Sequence, residues 1–150
     1  MVEYRVGDLL SSDATVICHQ VNCQGVMGAG LAKQVRAKYP DVYAKYHWAC
    51  NHYDRYTLLG KVQLVEIAPK RYVANVFGQY RYGTEKRHTD YGALRLALSK
   101  LNERFAGSTI ALPYNMGCNL GGGDWQTVLS VIEDTLSNCQ VYIYKKGGSL

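Results

Sequence analysis

Thr15-Val16-Ile17-Cys18-His19-Gln20-Val21-Asn22-Cys23-Gln24-Gly25-Val26-Met27-Gly28-Ala29-Gly30-Leu31-Ala32-Lys33-Gln34-Val35-Arg36-Ala37-Lys38 runs from an apolar stretch through a glycine-spaced turn into a helical pattern. The glycines therefore sit where a buried strand becomes a helix. A helix N-terminus exposes unpaired N–H groups and the positive end of the macrodipole, and glycine lets the backbone approach an anion closely enough to donate to it. Late in the chain Pro113-Tyr114-Asn115-Met116-Gly117-Cys118-Asn119-Leu120-Gly121-Gly122-Gly123-Asp124-Trp125 again leads from an apolar strand into a helix. Three consecutive glycines destabilise any regular element, so this backbone is expected to contact a ligand rather than only turn. Two such loops in one small domain suggest a diphosphate.

Working outward, short apolar runs alternate with helical segments, the pattern of an α/β domain whose helices cover a central sheet. Strands are expected at 4–6, 15–21, 61–67, 72–76, 109–112 and 141–144, and helices at 29–38, 41–53, 91–105 and 125–136. Thr89-Asp90 and Asp124 stand before the last two helices, where a short polar side chain caps free amides. Pro113 ends the Ile110-Ala111-Leu112 strand because it cannot donate to a ladder. No internal repeat or low-complexity segment interrupts the chain, and residues 145–150 read as a frayed tail.

The 150 residues, 47% of them apolar, are enough for one domain, 1–150, with a sizeable core. No apolar run approaches the roughly 20 residues of a bilayer span, and the N-terminus lacks a secretory layout. A soluble, monomeric protein of the cytoplasm or another intracellular compartment, the nucleus included, is expected, with no membrane contact. Five cysteines, Cys18, Cys23, Cys50, Cys118 and Cys139, form no C-x-x-C pair, so neither a disulfide framework nor a zinc site is signalled. No metal and no cofactor is expected. The net charge of +5 favours an anionic ligand but is scattered, which leaves a nucleic-acid module as a weaker class. The first loop is not G-x-G-x-x-G followed by an acidic strand end, and no Gly-Lys-Ser/Thr occurs, so dinucleotide and P-loop sites are disfavoured.

Val6-Gly7-Asp8-Leu9, His19-Gln20-Val21-Asn22 with Met27-Gly28-Ala29-Gly30-Leu31-Ala32, and Leu112-Pro113 with Gly117-Cys118-Asn119-Leu120-Gly121-Gly122-Gly123-Asp124-Trp125 together resemble a macrodomain over nearly the whole chain. More narrowly they resemble the branch of terminal ADP-ribose glycohydrolases and the yeast ADP-ribose-1''-phosphate phosphatase. The resemblance implies a three-layer α/β/α fold with a central mixed sheet and an ADP-ribose cleft at the carboxyl ends of its strands. It implies that Asp8 accepts from the adenine amino group beside Leu9, and that Asn22 meets the distal ribose. Gly28, Ala29 and Gly30 would hold one phosphate, and Asn115, Gly117, Cys118, Asn119, Leu120 and Gly121 would form the other side. The implied partner is ADP-ribose or an ADP-ribosylated molecule, protein or nucleic acid.

Catalytic residues depart from that branch. Its glycohydrolases use a lysine after the fourth strand and an aspartate in the second glycine loop; here Gln79 stands near the first position and Gly121 at the second. Glutamine forms no Schiff base and glycine supplies no acid or base. The acidic residue that follows the first glycine run in another macrodomain hydrolase is also missing from Leu31-Ala32-Lys33-Gln34. Asn22 and Gln79 are left as candidates for orienting a water toward the distal ribose substituent, with the second loop stabilising developing charge. His19 is the titratable candidate beside them, although a lone strand histidine reads first as structural. Asp124 reads first as a cap. The loop Tyr80-Arg81-Tyr82-Gly83-Thr84-Glu85-Lys86-Arg87-His88 is either solvated or in contact with the ligand or its macromolecular part. The expected function is processing of ADP-ribose derivatives, by dephosphorylation of ADP-ribose 1''-phosphate or hydrolysis of ADP-ribosyl adducts. A non-catalytic ADP-ribose reader would carry the same loops.

Overall fold

The structure, a computed structural model, describes residues 2–83, 86–119 and 121–147. Six strands form one sheet: β1 (Val2–Val6), β2 (Val16–Val21), β3 (Val62–Ala68), β4 (Arg71–Phe77), β5 (Thr109–Pro113) and β6 (Gln140–Lys145). Their order is β1-β6-β5-β2-β4-β3. All neighbours are parallel except β3 and β4, which pair antiparallel, so the sheet is mixed. Five helices accompany it: α1 (Gly30–Lys38), α2 (Pro40–His52), α3 (Arg55–Leu58), α4 (Tyr91–Arg104) and α5 (Trp125–Thr135).

Period-two alternation along β2 divides the core into two halves. Val16 and Cys18 pack with Leu94, Leu98 and Leu101 of α4 and Val128 and Ile132 of α5. Ile17 and Val21 face the other way, against Val35 of α1 and Val42, Tyr46 and Cys50 of α2. Helices thus cover both faces, giving the three layers. Leu94, Leu98 and Leu101 recur at helical spacing and are almost wholly buried; each such side chain contributes about 1.5–3 kcal/mol by leaving water. A central strand buried on both faces needs a near-continuous apolar sequence, and β2 supplies it apart from His19 and Gln20.

Expected strands and helices all occur, with shifted ends. The second helix begins at Pro40, whose fixed φ and missing N–H suit the first helical turn. A 3-10 turn, Leu9–Ser11, and the single-turn α3 are additional. Each is started by an aspartate whose side chain accepts a backbone N–H: Asp8 from Leu10 and Asp54 from Tyr56, both at 3.0 Å. Asp90 and Asp124 cap α4 and α5 in the same way, accepting from Ala93 at 2.9 Å and Thr127 at 3.0 Å. All five cysteines are free thiols, four of them buried. Among the described residues no helix is long and apolar enough to cross a membrane.

The cap at α5 gives a stability test. Asp124→Ala is expected to lower stability by about 1 kcal/mol and Asp124→Asn by much less, because Asn retains the acceptor. Urea unfolding of the two variants checks this; equal losses would show that the carboxylate charge, not the cap, matters.

Candidate functional site

Three strands deliver their carboxyl ends to one place. The residues after β2, β4 and β5 line a cavity of about 540 Å³, within the roughly 300–1,000 Å³ typical of small-ligand sites. This is where ligands bind in open, largely parallel sheets.

The first wall is the loop between β2 and α1. Asn22 organises it through its own side chain. Its Oδ1 accepts from the N–H of Gln24 at 2.9 Å and of Val26 at 3.4 Å, and its Nδ2 donates to the Val26 carbonyl at 2.9 Å. The Tyr46 hydroxyl, buried in the core, lies 2.7 Å from that Oδ1 and 2.8 Å from the Asn22 backbone oxygen. Burial pushes the Tyr46 phenol well above its usual range, so it stays a neutral donor. The loop then delivers Gly28, Ala29 and Gly30 to the cavity at the start of α1. Ala29 is the N-cap and offers no capping side chain, and the first turn holds no acidic residue. The first-turn amides thus face the cavity without a capping side chain, at the positive end of the helix.

The second wall is the loop between β5 and α5. Asn115 has φ +61° and Gly117 φ +74°, a left-handed turn that carries the chain back over the cavity. The Gly117 carbonyl accepts from Gly123 N at 2.8 Å and from the Thr89 hydroxyl at 2.6 Å. The Gly121 carbonyl accepts from His88 N at 2.7 Å and Thr89 N at 3.0 Å. A side chain at Gly121 would place its Cβ 2.5 Å from Thr89 Oγ1 and 2.6 Å from the Gly117 oxygen, so only glycine fits. The aspartate that the resemblance puts at this position has no room in this packing.

Gln20 and Gln79 form the floor. Gln20 Nε2 donates to Gln79 Oε1 at 2.8 Å and to Thr89 Oγ1 at 2.9 Å, and Gln79 Nε2 donates to the Arg81 carbonyl at 2.8 Å. A chain of side chains from β2 thereby holds both the turn after β4 and the second glycine loop. His19, next to Gln20 on β2, also borders the cavity; it is 2% exposed, and its Nε2 lies 2.6 Å from Asn75 Oδ1. Asn75 Nδ2 donates to Gln63, so Asn75 Oδ1 is the acceptor and His19 Nε2 carries the proton. Burial pushes the imidazole down to about 4, so His19 is neutral at pH 7 and does not titrate near neutrality.

Of the residues expected at the site, His19, Asn22, Gly28, Ala29, Gly30, Gln79, Asn115, Gly117, Asn119 and Gly121 line this one cavity. Asp8, Leu9 and Cys118 are not among its lining residues. Asp8 caps the 3-10 turn, and Leu9 is buried in the core. The Cys118 thiol, 3.4 Å from the Met116 carbonyl, is pushed up to about 11 by burial and is not ionised at neutral pH. Leu120 lies outside the described residues. Lining positions the sequence did not mark include Gln20, Tyr114 and Met116. Gln20 carried one signal, a long amide inside an apolar strand. No described lining residue is Asp, Glu, Lys or Arg. Among the described residues no group of three or more His, Cys, Asp or Glu is placed to hold a metal ion.

The family model of the Macro domain matches residues 18–132, which takes in both loops. The chain belongs to the macrodomain family. This macrodomain is 30% identical over 135 residues to a DNA ADP-ribosyl glycohydrolase of Mycobacterium tuberculosis, covering 85% of this chain and 36% of that protein. It is 36% identical over 95 residues to an ADP-ribose 1''-phosphate phosphatase of Scheffersomyces stipitis, covering 51% of this chain and 55% of that protein. A solved macrodomain protein from Streptomyces coelicolor matches with a TM-score of 0.80 at 29% identity, over 98% of this chain and 100% of that one. The macrodomain thus spans about a third of the length of the glycohydrolase it resembles.

The buried His19 predicts a pH dependence. An unfolded chain binds a proton at this histidine below its ordinary value of 6.5, whereas the folded chain does so only near 4. Stability from this group is full above about pH 6.5 and is lost as pH falls toward 4, roughly 2–3 kcal/mol by about pH 4.5. His19→Gln is expected to lose correspondingly less stability than the parent between neutral and acid pH. Parallel losses in urea titrations at both pH values would contradict this assignment.

Proposed function

We propose that the cleft binds the ADP-ribosyl group of ADP-ribose derivatives and that the protein processes those derivatives at the distal ribose. The observation that carries binding is the uncapped N-terminus of α1, its Gly28, Ala29 and Gly30 lining the cavity opposite the Gly117 to Gly121 loop. A diphosphate can accept from both backbones at once while its two sugars extend along the cleft. No charged side chain is needed for this, and none lines the described cavity.

For processing, the relatives named as an ADP-ribosyl glycohydrolase and an ADP-ribose 1''-phosphate phosphatase supply the reaction classes. In this chain water would attack the phosphorus of a 1''-phosphate, breaking its P–O bond and freeing ADP-ribose and phosphate, or the anomeric carbon of an adduct, breaking the bond to the adduct, which leaves with the proton. Fixed backbone donors would stabilise the charge that develops, rather than a lysine nucleophile or a carboxylate base. Asn22 and Gln79 act here as positioning residues. Their side chains are committed to the loop and floor, so they orient the surfaces against which water and ribose are held. The specific observation that favours a non-catalytic reader is the same commitment of Asn22 and Gln79, together with a neutral His19.

Ala29→Asp separates ligand binding from helix stability. A carboxylate at the N-cap is expected to stabilise the fold by about 0.5–1 kcal/mol while repelling a diphosphate, so ADP-ribose affinity by calorimetry falls by at least about tenfold. Unchanged affinity would remove α1 from the site, and no binding by the parent at millimolar ADP-ribose would sink the proposal. Incubating the parent with ADP-ribose 1''-phosphate, ADP-ribosylated protein and ADP-ribosylated DNA then divides enzyme from reader. Survival of all three substrates leaves the reader.

A further inference from the structure

The most exposed aromatic residues lie on two segments, one outside the cleft and one at its wall. Among the described residues the aromatics more than half exposed are Trp48, Tyr53, Tyr56 and Tyr82. The first three lie on the segment from the end of α2 through α3, and Tyr82 lines the cavity itself. Scattered exposed aromatics need no explanation, but rings held by contacts on segments that lead to a cavity do.

These rings are held in fixed arrangements. Trp48 stacks on His52 with centroids 4.2 Å apart and meets Tyr53 edge-on at 5.7 Å. Tyr56, three residues beyond Tyr53, stacks on Tyr80 at 4.0 Å and 6°. Tyr80 is in turn fastened to the first glycine loop. Its carbonyl accepts from Cys23 N at 3.0 Å and from Gln24 Nε2 at 2.9 Å, and Gln24 Oε1 accepts from Arg55 at 2.9 Å. One rigid connection therefore runs from the cleft wall through Tyr80 to the exposed faces of α3. The exposed Arg81 sits over the Tyr80 ring at 5.6 Å, and the whole chain carries a net charge of +5.

Exposed π-faces beside an exposed arginine, on a protein of net positive charge, match unpaired bases on an anionic backbone; a duplex hides its base faces and offers nothing to stack. We propose that the ridge formed by Trp48, Tyr53, Tyr56 and Tyr82 with Arg81 is a docking surface for single-stranded nucleic acid leading to the cleft. The link to the cleft rests on the ADP-ribose reading given above. Docking on the ridge does not.

The test uses the full chain and a fluorescently labelled, unmodified oligothymidylate in low salt, read by anisotropy, with calorimetry of free ADP-ribose in parallel. The single strand is expected to bind, to bind more tightly than a duplex of the same length, and to weaken steeply with salt. Tyr53→Ser and Tyr56→Ser, both exposed and outside the cavity lining, are each expected to weaken it by about tenfold. ADP-ribose affinity is expected to stay unchanged in both. Absence of oligonucleotide binding, equal preference for duplex, or parental affinity in both variants would overturn the proposal and leave the ridge to a protein partner. Oligonucleotide binding that depends on the tyrosines, without any ADP-ribose binding, would uphold the ridge and overturn the cleft reading instead.

Discussion

The first turn of α1 has amide donors that nothing on its own N-cap can satisfy. Ala29 has no side-chain acceptor, and the turn contains no Asp or Glu, whereas α3, α4 and α5 each begin at an aspartate that accepts from the helix. An N-terminus left uncapped and facing a cavity is a standing site for an anion. The other parts of the cleft keep that terminus open and aimed. The Asn22 side chain fixes the shape of the approach, and the Tyr46 hydroxyl holds it from below. Replacing Ala29 by a capping residue would be a gain for the helix and a loss for the proposed anion site, so local stability and the proposed binding oppose each other here.

Opposite α1, the second loop depends on contacts remote in sequence. Gln20 reaches Thr89 and Gln79, and Thr89 holds the carbonyl of Gly117, while its own N–H and that of His88 hold the carbonyl of Gly121. These bonds join β2, the segment before α4 and the loop before α5 into one unit. The same packing removes the space that an acidic side chain at Gly121 would need. Where the resemblance implies a lysine and an aspartate, this chain has Gln79 and Gly121, set in a network of side-chain amides, the Thr89 hydroxyl and backbone carbonyls.

Elements with long, regular patterns were legible from residue spacing. The six strands and four longer helices were, because period-two and helical spacing both end at clear punctuation: Pro113, Asp90, Asp124 and the glycine runs. The single-turn α3 was not, since Arg55-Tyr56-Thr57-Leu58 is too short for any period to show. Both loops could be placed from their glycines. What their side chains do could not, because hydrogen-bond partners 59 to 69 residues apart leave no local trace. Asn22 illustrates the difference: its position in the cleft follows from the sequence, whereas its use as a brace for the loop required Tyr46, 24 residues away, to be brought beneath it.

A direct test of the central claim is the backbone amide spectrum of the isotopically labelled protein during titration with ADP-ribose. Donation from the α1 terminus and the facing loop predicts that the largest shifts fall on Gly28, Ala29, Gly30, Asn119 and Gly121, with the far edge of the sheet at β1 unmoved. Saturating shifts confined to the start of α4, or none at all, would contradict it.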